Sequence, residues 1–130
     1  MILETPQEEN GLLLFKTRGV SMYPTILTGD TLLVKKTEGK ALKKGDVAVY
    51  KRNGLLIAHR VIGQSNGVYL TRGDMYMFGK ERVSAENIIG RALLIKRSEN
   101  LFSPEIRRTN LKRYAYNIMT FILGFINRIG

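Results

Sequence analysis

The sequence predicts a small, mainly β domain, barrel-like or sandwich-like, built from short antiparallel strands and followed by a C-terminal α-helix. The chain has 130 residues and is 44% hydrophobic, which suits one domain with a modest core. Between residues 11 and 96, runs rich in Val, Ile, Leu and Tyr alternate with Gly-Asp and Asn-Gly pairs. We therefore expect a β-rich domain over residues 1–100 and a helical segment over residues 101–130.

Six segments have the composition of strands. They cover residues 12–17, 31–35, 46–51, 55–62, 67–71 and 88–95. Asn53-Gly54, which separates two of them, is a strong signal for a two-residue hairpin turn. Turn residues this frequent predict short strands with tight connections.

The C-terminal helix is predicted from Ser103, Pro104 and Glu105, which suit the cap, the first helical position and the first turn. It would extend to about Asn127, basic in its first half and apolar on nearly every face in its second half. One interpretation is a helix packed on the domain or on another subunit. The other is an anchor on an anionic membrane surface. Nucleic acid is not expected as a partner, because the aromatic residues of this segment lie among aliphatic ones rather than among the cations.

Charge and composition limit the possible partners and chemistry. The formal net charge of +10 favours anionic partners. With no cysteine and one histidine, a disulfide, a thiol nucleophile and a Cys/His metal site are excluded, and neither a metal nor a cofactor is expected. No signal peptide and no apolar run of spanning length is apparent, which predicts a cytoplasmic or peripheral membrane location.

The segment Gly19-Val20-Ser21-Met22-Tyr23-Pro24 holds the candidate nucleophile, Ser21. A serine hydroxyl needs a neighbouring base, and an imidazole that titrates near neutral pH is the usual one. His59 is the single histidine of the chain, so the hypothesis is a Ser21–His59 pair that the fold brings together. The alternative is a histidine that is hydrogen-bonded within the core.

These residues belong to five ordered motifs in which the chain resembles the signal peptidase I family, in its archaeal and endoplasmic-reticulum-type branch. The motifs occupy residues 19–24 with 29–30, then 45–50, 57–62, 70–74 and 89–91. In that branch a histidine stands where bacterial signal peptidases and self-cleaving phage and SOS repressors have a lysine base. His59-Arg60 matches the histidine form.

The resemblance implies a serine endopeptidase that cleaves signal or leader peptides bound as an added strand. It implies that Ser21 is the nucleophile, His59 the general base and Asp74 the residue that orients His59. Glu81 is a rival for that third place, because Lys80 occupies the position of a later family acid.

The resemblance also implies a substrate-binding and oxyanion role for the residues around the nucleophile. These are Gly19, Val20, Met22 and Tyr23, with the backbone N–H of Ser21 as one oxyanion donor. Gly19 stands where many family members have a serine that can donate a second hydrogen bond.

Two other functions stay open. The first is a catalytically weak or inactive family member that acts as a peptide-binding or membrane-associated partner. The second is a self-cleaving repressor-type domain, which is less favoured because no helix-turn-helix region is apparent ahead of residue 11 and the base position holds no lysine.

Overall fold

The computed structural model describes residues 1–37 and 42–105. This part of the chain consists of ten strands and a 3₁₀ turn, Ala85–Asn87. The strands are β1 (Ile2–Leu3), β2 (Gln7–Glu9), β3 (Leu12–Arg18), β4 (Thr31–Lys36), β5 (Val47–Arg52), β6 (Leu55–Ser65), β7 (Val68–Arg72), β8 (Glu81–Ser84), β9 (Ile88–Arg97) and β10 (Asn100–Phe102).

Six antiparallel strands form a closed barrel in the order β1, β3, β4, β9, β5, β6. The short strand β1 closes it, because Ile2 is paired with Arg18 of β3 on one side and with Ile57 of β6 on the other. The four remaining strands extend the sheet beyond this ring, with β2 on β3, β10 on β9, β7 on β6 and β8 on β7. The prediction of a mainly β fold is confirmed, and the architecture is a barrel.

All six predicted strands are present, each with bounds within a few residues of those expected. The Asn53-Gly54 hairpin is also present, with φ of 49° and 77° at its two central residues. Both values lie in the left-handed region that Asn and Gly tolerate best.

The predicted helix over 103–127 lies outside the described residues except for its first three positions. In this part, Glu105 N–H donates to Ser103 Oγ over 3.1 Å. Within the described residues, no helix is long and apolar enough to cross a membrane.

One core cluster of the barrel is formed by large apolar side chains from its strands and from the segment that follows β3. Phe15, Met22, Ile26, Leu32 and Val49 are almost completely buried in one cluster. Full burial of a side chain of this size stabilises the fold by about 1.5–3 kcal/mol. Because Met22 and Ile26 belong to this cluster, the core itself fixes the segment that carries Ser21.

Asp30 holds the other end of that segment. Its buried carboxylate accepts hydrogen bonds from Arg97 Nε and Nη2, over 2.9 Å and 2.7 Å, and from Leu27 N–H over 2.8 Å. Arg97 also donates to the carbonyl oxygen of Thr25 over 3.2 Å. The Gly-Asp pair of the sequence motif therefore fastens the turn to β9.

Candidate active site

Ser21 lies in the connection between β3 and β4, which covers residues 19–30. The turn is held by Tyr23 N–H donating to the Val20 carbonyl over 3.0 Å, and by Ile26 N–H donating to the Met22 carbonyl over 2.9 Å. The side chain of Met22 points into the core with 0% exposure. Ser21 itself is partly exposed, next to this buried side chain.

His59 is in the middle of β6, paired with Ala48 of β5. Its Nε2 lies 3.1 Å from Ser21 Oγ, which is hydrogen-bond distance. The fold thus brings together the two residues of the sequence hypothesis. A serine hydroxyl that faces an imidazole nitrogen at this distance can transfer its proton during attack on a carbonyl.

The other ring nitrogen of His59 faces a tyrosine. Tyr50 Oη is 3.1 Å from His59 Nδ1 and 3.2 Å from Thr71 Oγ1. For Ser21 to donate to Nε2, the ring proton must sit on Nδ1, where the Tyr50 oxygen can accept it. Tyr50 can then donate its own proton to Thr71. This chain of contacts is compatible with the tautomer that a general base needs.

The carboxylates of Asp74 and Glu81 form ion pairs with arginines rather than a hydrogen bond with His59. The Asp74 carboxylate accepts from Arg60, over 2.9 Å for Nε, and from Thr25 Oγ1 over 2.6 Å. Glu81 is paired with Arg52. The physical reason for the Asp74 contact is the burial of Arg60, which is 5% exposed and always charged, so that it needs a carboxylate partner.

Arg60 is a structural residue that links three parts of the site. Besides Asp74, it donates to the carbonyl oxygens of Gly45, over 2.9 Å, and Pro104, over 2.7 Å. Through Thr25, Asp74 in turn contacts the turn that carries Ser21. The ion pair therefore supports the turn that carries Ser21.

Burial sets the protonation states of the site. It lowers the pKa of His59 to about 4, helped by the positive charges of the Met1 α-amine and Arg52, with Asp74 acting in the opposite direction. It also raises the pKa of Tyr50 to about 12. At neutral pH, His59 is uncharged and can accept a proton, while Tyr50 keeps its hydroxyl proton.

The third group at Ser21 is the α-amine of Met1. It donates a hydrogen bond to Ser21 Oγ and lies 3.4 Å from His59 Nε2. Burial lowers the pKa of this amine to about 6; Arg52 contributes to the shift and Glu81 opposes it. The amine is therefore mostly uncharged at neutral pH.

Exposed apolar side chains surround Ser21. Val20 and Tyr23, from the turn itself, are more than half exposed, and so are Met75 and Tyr76 from the loop after β7. Gly19 has a φ of 113° and exchanges hydrogen bonds with Thr28 through both its N–H and its carbonyl oxygen. Of the four residues that were predicted to bind substrate or an oxyanion, Gly19, Val20 and Tyr23 are at least partly exposed, whereas Met22 belongs to the core.

The loop after β7 is in close contact with Ser21. Met75 N–H donates to the Ser21 carbonyl over 3.0 Å. A Cβ added to Gly73 would lie 2.3 Å from the Ser21 carbonyl oxygen and 3.2 Å from Ser21 Cβ. Only glycine at position 73 permits this close approach.

Gly73→Ala should lower any activity of Ser21 by about 100-fold, because a displacement of about 1 Å at a catalytic group has an effect of this size. The matched control is Gly63→Ala, whose added Cβ would meet Leu70 Cδ1 at an ordinary 3.6 Å. Both variants are compared for peptide cleavage and for thermal unfolding. Equal activity of the two variants would contradict the tight contact.

The pKa of His59 predicts how stability depends on pH. Between about 6.5 and about 4, the unfolded chain binds a proton on His59 that the folded chain does not. The free energy of unfolding should therefore fall as pH is lowered through this window. His59→Gln cannot titrate, so its urea midpoint should change less between pH 7 and pH 4.5. An identical pH dependence of the two proteins would contradict the buried, uncharged histidine.

A serine hydroxyl that an imidazole contacts at the rim of a β-barrel defines the class of site found in serine hydrolases. The comparison with protein families agrees: residues 2–93 match the Peptidase S24-like family. The chain belongs to this family, and its β domain is a serine peptidase domain. No curated protein matches the chain.

Four residues of the site were given no role there by the sequence, namely Met1, Tyr50, Arg60 and Thr71. Tyr50 ends the second motif, but nothing in its spacing shows that it opposes His59 across the β5–β6 pair. Within the described part of the chain, no group of three or more His, Asp or Glu side chains could hold a metal ion.

Proposed function

We propose that this chain is a serine endopeptidase that cleaves signal or leader peptides bound in an extended conformation. Ser21 is the nucleophile and His59 is the general base. The observation that carries the proposal is the 3.1 Å separation between Ser21 Oγ and His59 Nε2. Membership of the Peptidase S24-like family supports the reaction class.

In the first step, Ser21 Oγ attacks the scissile carbonyl carbon while its proton moves to His59 Nε2. The carbonyl oxygen becomes negatively charged, and the backbone N–H of Ser21 is a candidate donor to it. Collapse of this intermediate breaks the C–N bond, and the leaving nitrogen takes a proton from the imidazole. Water then hydrolyses the acyl ester by the same route.

Tyr50 takes the orienting role that was expected of Asp74. Its oxygen accepts from His59 Nδ1, and its proton is directed to Thr71. A neutral phenol fixes the ring and its tautomer, but it stabilises the imidazolium less than a carboxylate does. Asp74 acts indirectly. It neutralises Arg60, and it stabilises the segment that carries Ser21 by accepting a hydrogen bond from Thr25.

An apolar, extended substrate suits the surface around Ser21. Val20, Tyr23, Met75 and Tyr76 are exposed large apolar side chains on two adjoining segments. Exposed apolar groups that cluster beside a reactive group commonly mark a binding surface. Signal and leader peptides present apolar and small side chains to such a surface. The membrane-bound C-terminal helix stays a prediction, because its residues lie outside the described part of the chain.

The proposal is tested by incubating the purified chain with peptides that differ only at the residue before the intended cut. We expect cleavage after small residues such as Ala or Ser, and little after Arg or Phe, with products identified by mass spectrometry. Cleavage that ignores this residue would contradict leader-peptide specificity. Peptide binding without cleavage of any member of the set would favour an inactive peptide-binding protein instead.

A further inference from the structure

The loop between β7 and β8, residues 73–80, carries the two most exposed large apolar side chains in the described part of the chain. Phe78 is 85% exposed and Met77 is 79% exposed. They directly follow Met75 and Tyr76, which are about half exposed. A single exposed apolar side chain is common, but a contiguous exposed group marks an interaction surface. The substrate surface proposed beside Ser21 uses Met75 and Tyr76, which leaves Met77 and Phe78 without a role.

The first residues of this loop are attached to the barrel. Met75 N–H donates to the Ser21 carbonyl over 3.0 Å, and Asp74 N–H donates to Met22 Sδ over 3.4 Å. The carboxylate of Asp74 is bound by Arg60. These contacts hold the start of the loop next to the nucleophile, and Met77 and Phe78 extend beyond them into solvent.

Three cations lie close to the exposed apolar residues in the sequence and on the sheet. Arg72 ends β7, Lys80 is exposed at the end of the loop, and Arg82 is exposed in β8. Leu70, which shares a sheet face with Arg72, is paired with Arg82 in the β7–β8 register. The two arginines therefore lie on the same face of this two-stranded ribbon.

The two acidic residues of the same segment are paired with arginines of other strands. Asp74 forms an ion pair with Arg60 of β6, and Glu81 forms one with Arg52 of β5. Among the described residues, none of the three cations of the ribbon takes part in an ion pair. The ribbon therefore presents a local positive charge beside its exposed apolar residues.

This combination suits the surface of an anionic membrane. Apolar side chains enter the boundary between headgroups and acyl chains, while cations contact the anionic headgroups. A tyrosine such as Tyr76, with an apolar ring and a polar hydroxyl, is typical of that boundary. A second copy of the chain fits less well, because contact between two such loops would bring their cations together. A short loop also offers less area than a stable protein interface needs.

We propose that the β7–β8 loop inserts Met77 and Phe78 into the surface of an anionic lipid bilayer, with Arg72, Lys80 and Arg82 on the headgroups. This inference goes beyond the proposed function and does not depend on catalysis by Ser21. It is also separate from the anchor predicted at the C-terminus, whose residues lie outside the described part of the chain.

Insertion of this loop would place the active site at the membrane surface. The Cα atoms of Met75 and Phe78 are three residues apart, and can be separated by at most about 11 Å. Met75 N–H is itself bonded to the Ser21 carbonyl. A peptide bond that lies just outside the bilayer would therefore be within reach of Ser21.

The test places a fluorescent reporter in the loop of the full chain. Since the sequence has no cysteine, Met77→Cys provides a single attachment site for an environment-sensitive fluorophore. Ser65→Cys is the matched control, because Ser65 is exposed and lies at the opposite end of β7, next to its first residue Val68 in the register. Both proteins are mixed with vesicles of phosphatidylcholine and phosphatidylserine, or of phosphatidylcholine alone.

We expect the label at position 77 to shift its emission to the blue and to become protected from an aqueous quencher on the anionic vesicles. The label at position 65 should stay exposed to water. Binding to vesicles of phosphatidylcholine alone should be at least about tenfold weaker, because each cation near anionic headgroups contributes about fivefold.

Two unlabelled double variants test the contribution of the apolar side chains. Met77→Ser with Phe78→Ser should weaken vesicle binding by about 30-fold or more, because full burial of either side chain contributes at least about tenfold. Met77→Leu with Phe78→Leu keeps the apolar character and should bind within about threefold of the unmodified chain. Both variants should leave the rate at which a fluorophosphonate probe acylates Ser21 unchanged.

Four results would overturn the inference. The unmodified chain could fail to bind anionic vesicles, or it could bind them while the label at position 77 stays exposed to water. The serine and leucine double variants could bind equally well. Shielding of the label without vesicles, at rising protein concentration, would show contact with a second copy instead. Failure of Ser21 to react with the probe would count against the proposed function and leave this inference intact.

Discussion

Ser21→Ala and His59→Ala should each abolish cleavage of a peptide that has small residues before the cut. Ser21→Ala removes the oxygen that forms the ester, and His59→Ala removes the group that contacts its proton over 3.1 Å. Because nucleophile and base act as a unit, each loss should lower kcat by about 10⁴-fold or more. Cleavage is measured with a single peptide, by product formation over time.

Two controls accompany this experiment. Ser84→Ala removes an exposed hydroxyl at the end of β8 and should leave the rate unchanged. His59→Gln keeps a hydrogen-bonding side chain but cannot hold a proton, so it should be as inactive as His59→Ala. Full activity of either Ser21→Ala or His59→Ala would mean that the catalytic mechanism is wrong.

Asp74→Asn should strongly destabilise the folded chain. It removes the negative charge that neutralises Arg60, a guanidinium whose side chain is 6% exposed. An unpaired buried charge of this kind typically costs about 3–5 kcal/mol. The free energy of unfolding in urea measures the effect directly.

The exposed ion pair between Lys36 and Glu8 provides the control. Both side chains are 49% exposed, so Glu8→Gln should change stability by less than about 1 kcal/mol. The double variant Asp74→Asn with Arg60→Met should recover part of the lost stability, because it also removes the unpaired charge. Equal effects of Asp74→Asn and Glu8→Gln would contradict the structural role of the Arg60–Asp74 pair.

The sequence predicts most of the barrel because its strands carry local signals. The six strands that it identifies are rich in β-branched and apolar residues and end at Gly-Asp or Asn-Gly turns. The other four strands, β1, β2, β8 and β10, are two to four residues long, too short to show a period. Closure of the barrel depends on β1, whose pairing with both β3 and β6 is a long-range property.

In the site, too, residues with local sequence signals could be predicted, whereas contacts that depend on long-range pairing could not. Ser21 and His59 could be predicted because each belongs to a motif, and a lone histidine has few possible roles. The partner of His59 Nδ1 could not, because it depends on the register between β5 and β6. The motif that contains Asp74 does not show that its carboxylate is bound by the buried Arg60. No motif predicts that the Met1 nitrogen lies beside Ser21 and His59.

The central claim is that Ser21 is a nucleophile activated by His59. It is tested most directly by treating the folded chain with a fluorophosphonate probe and mapping the acylated residue by mass spectrometry. The chain has five serines, at positions 21, 65, 84, 98 and 103, so the other four serve as internal controls. We predict acylation at Ser21 alone in the unmodified protein and none in His59→Gln. Labelling spread over several serines, or equal labelling of Ser21 in the two proteins, would contradict the account.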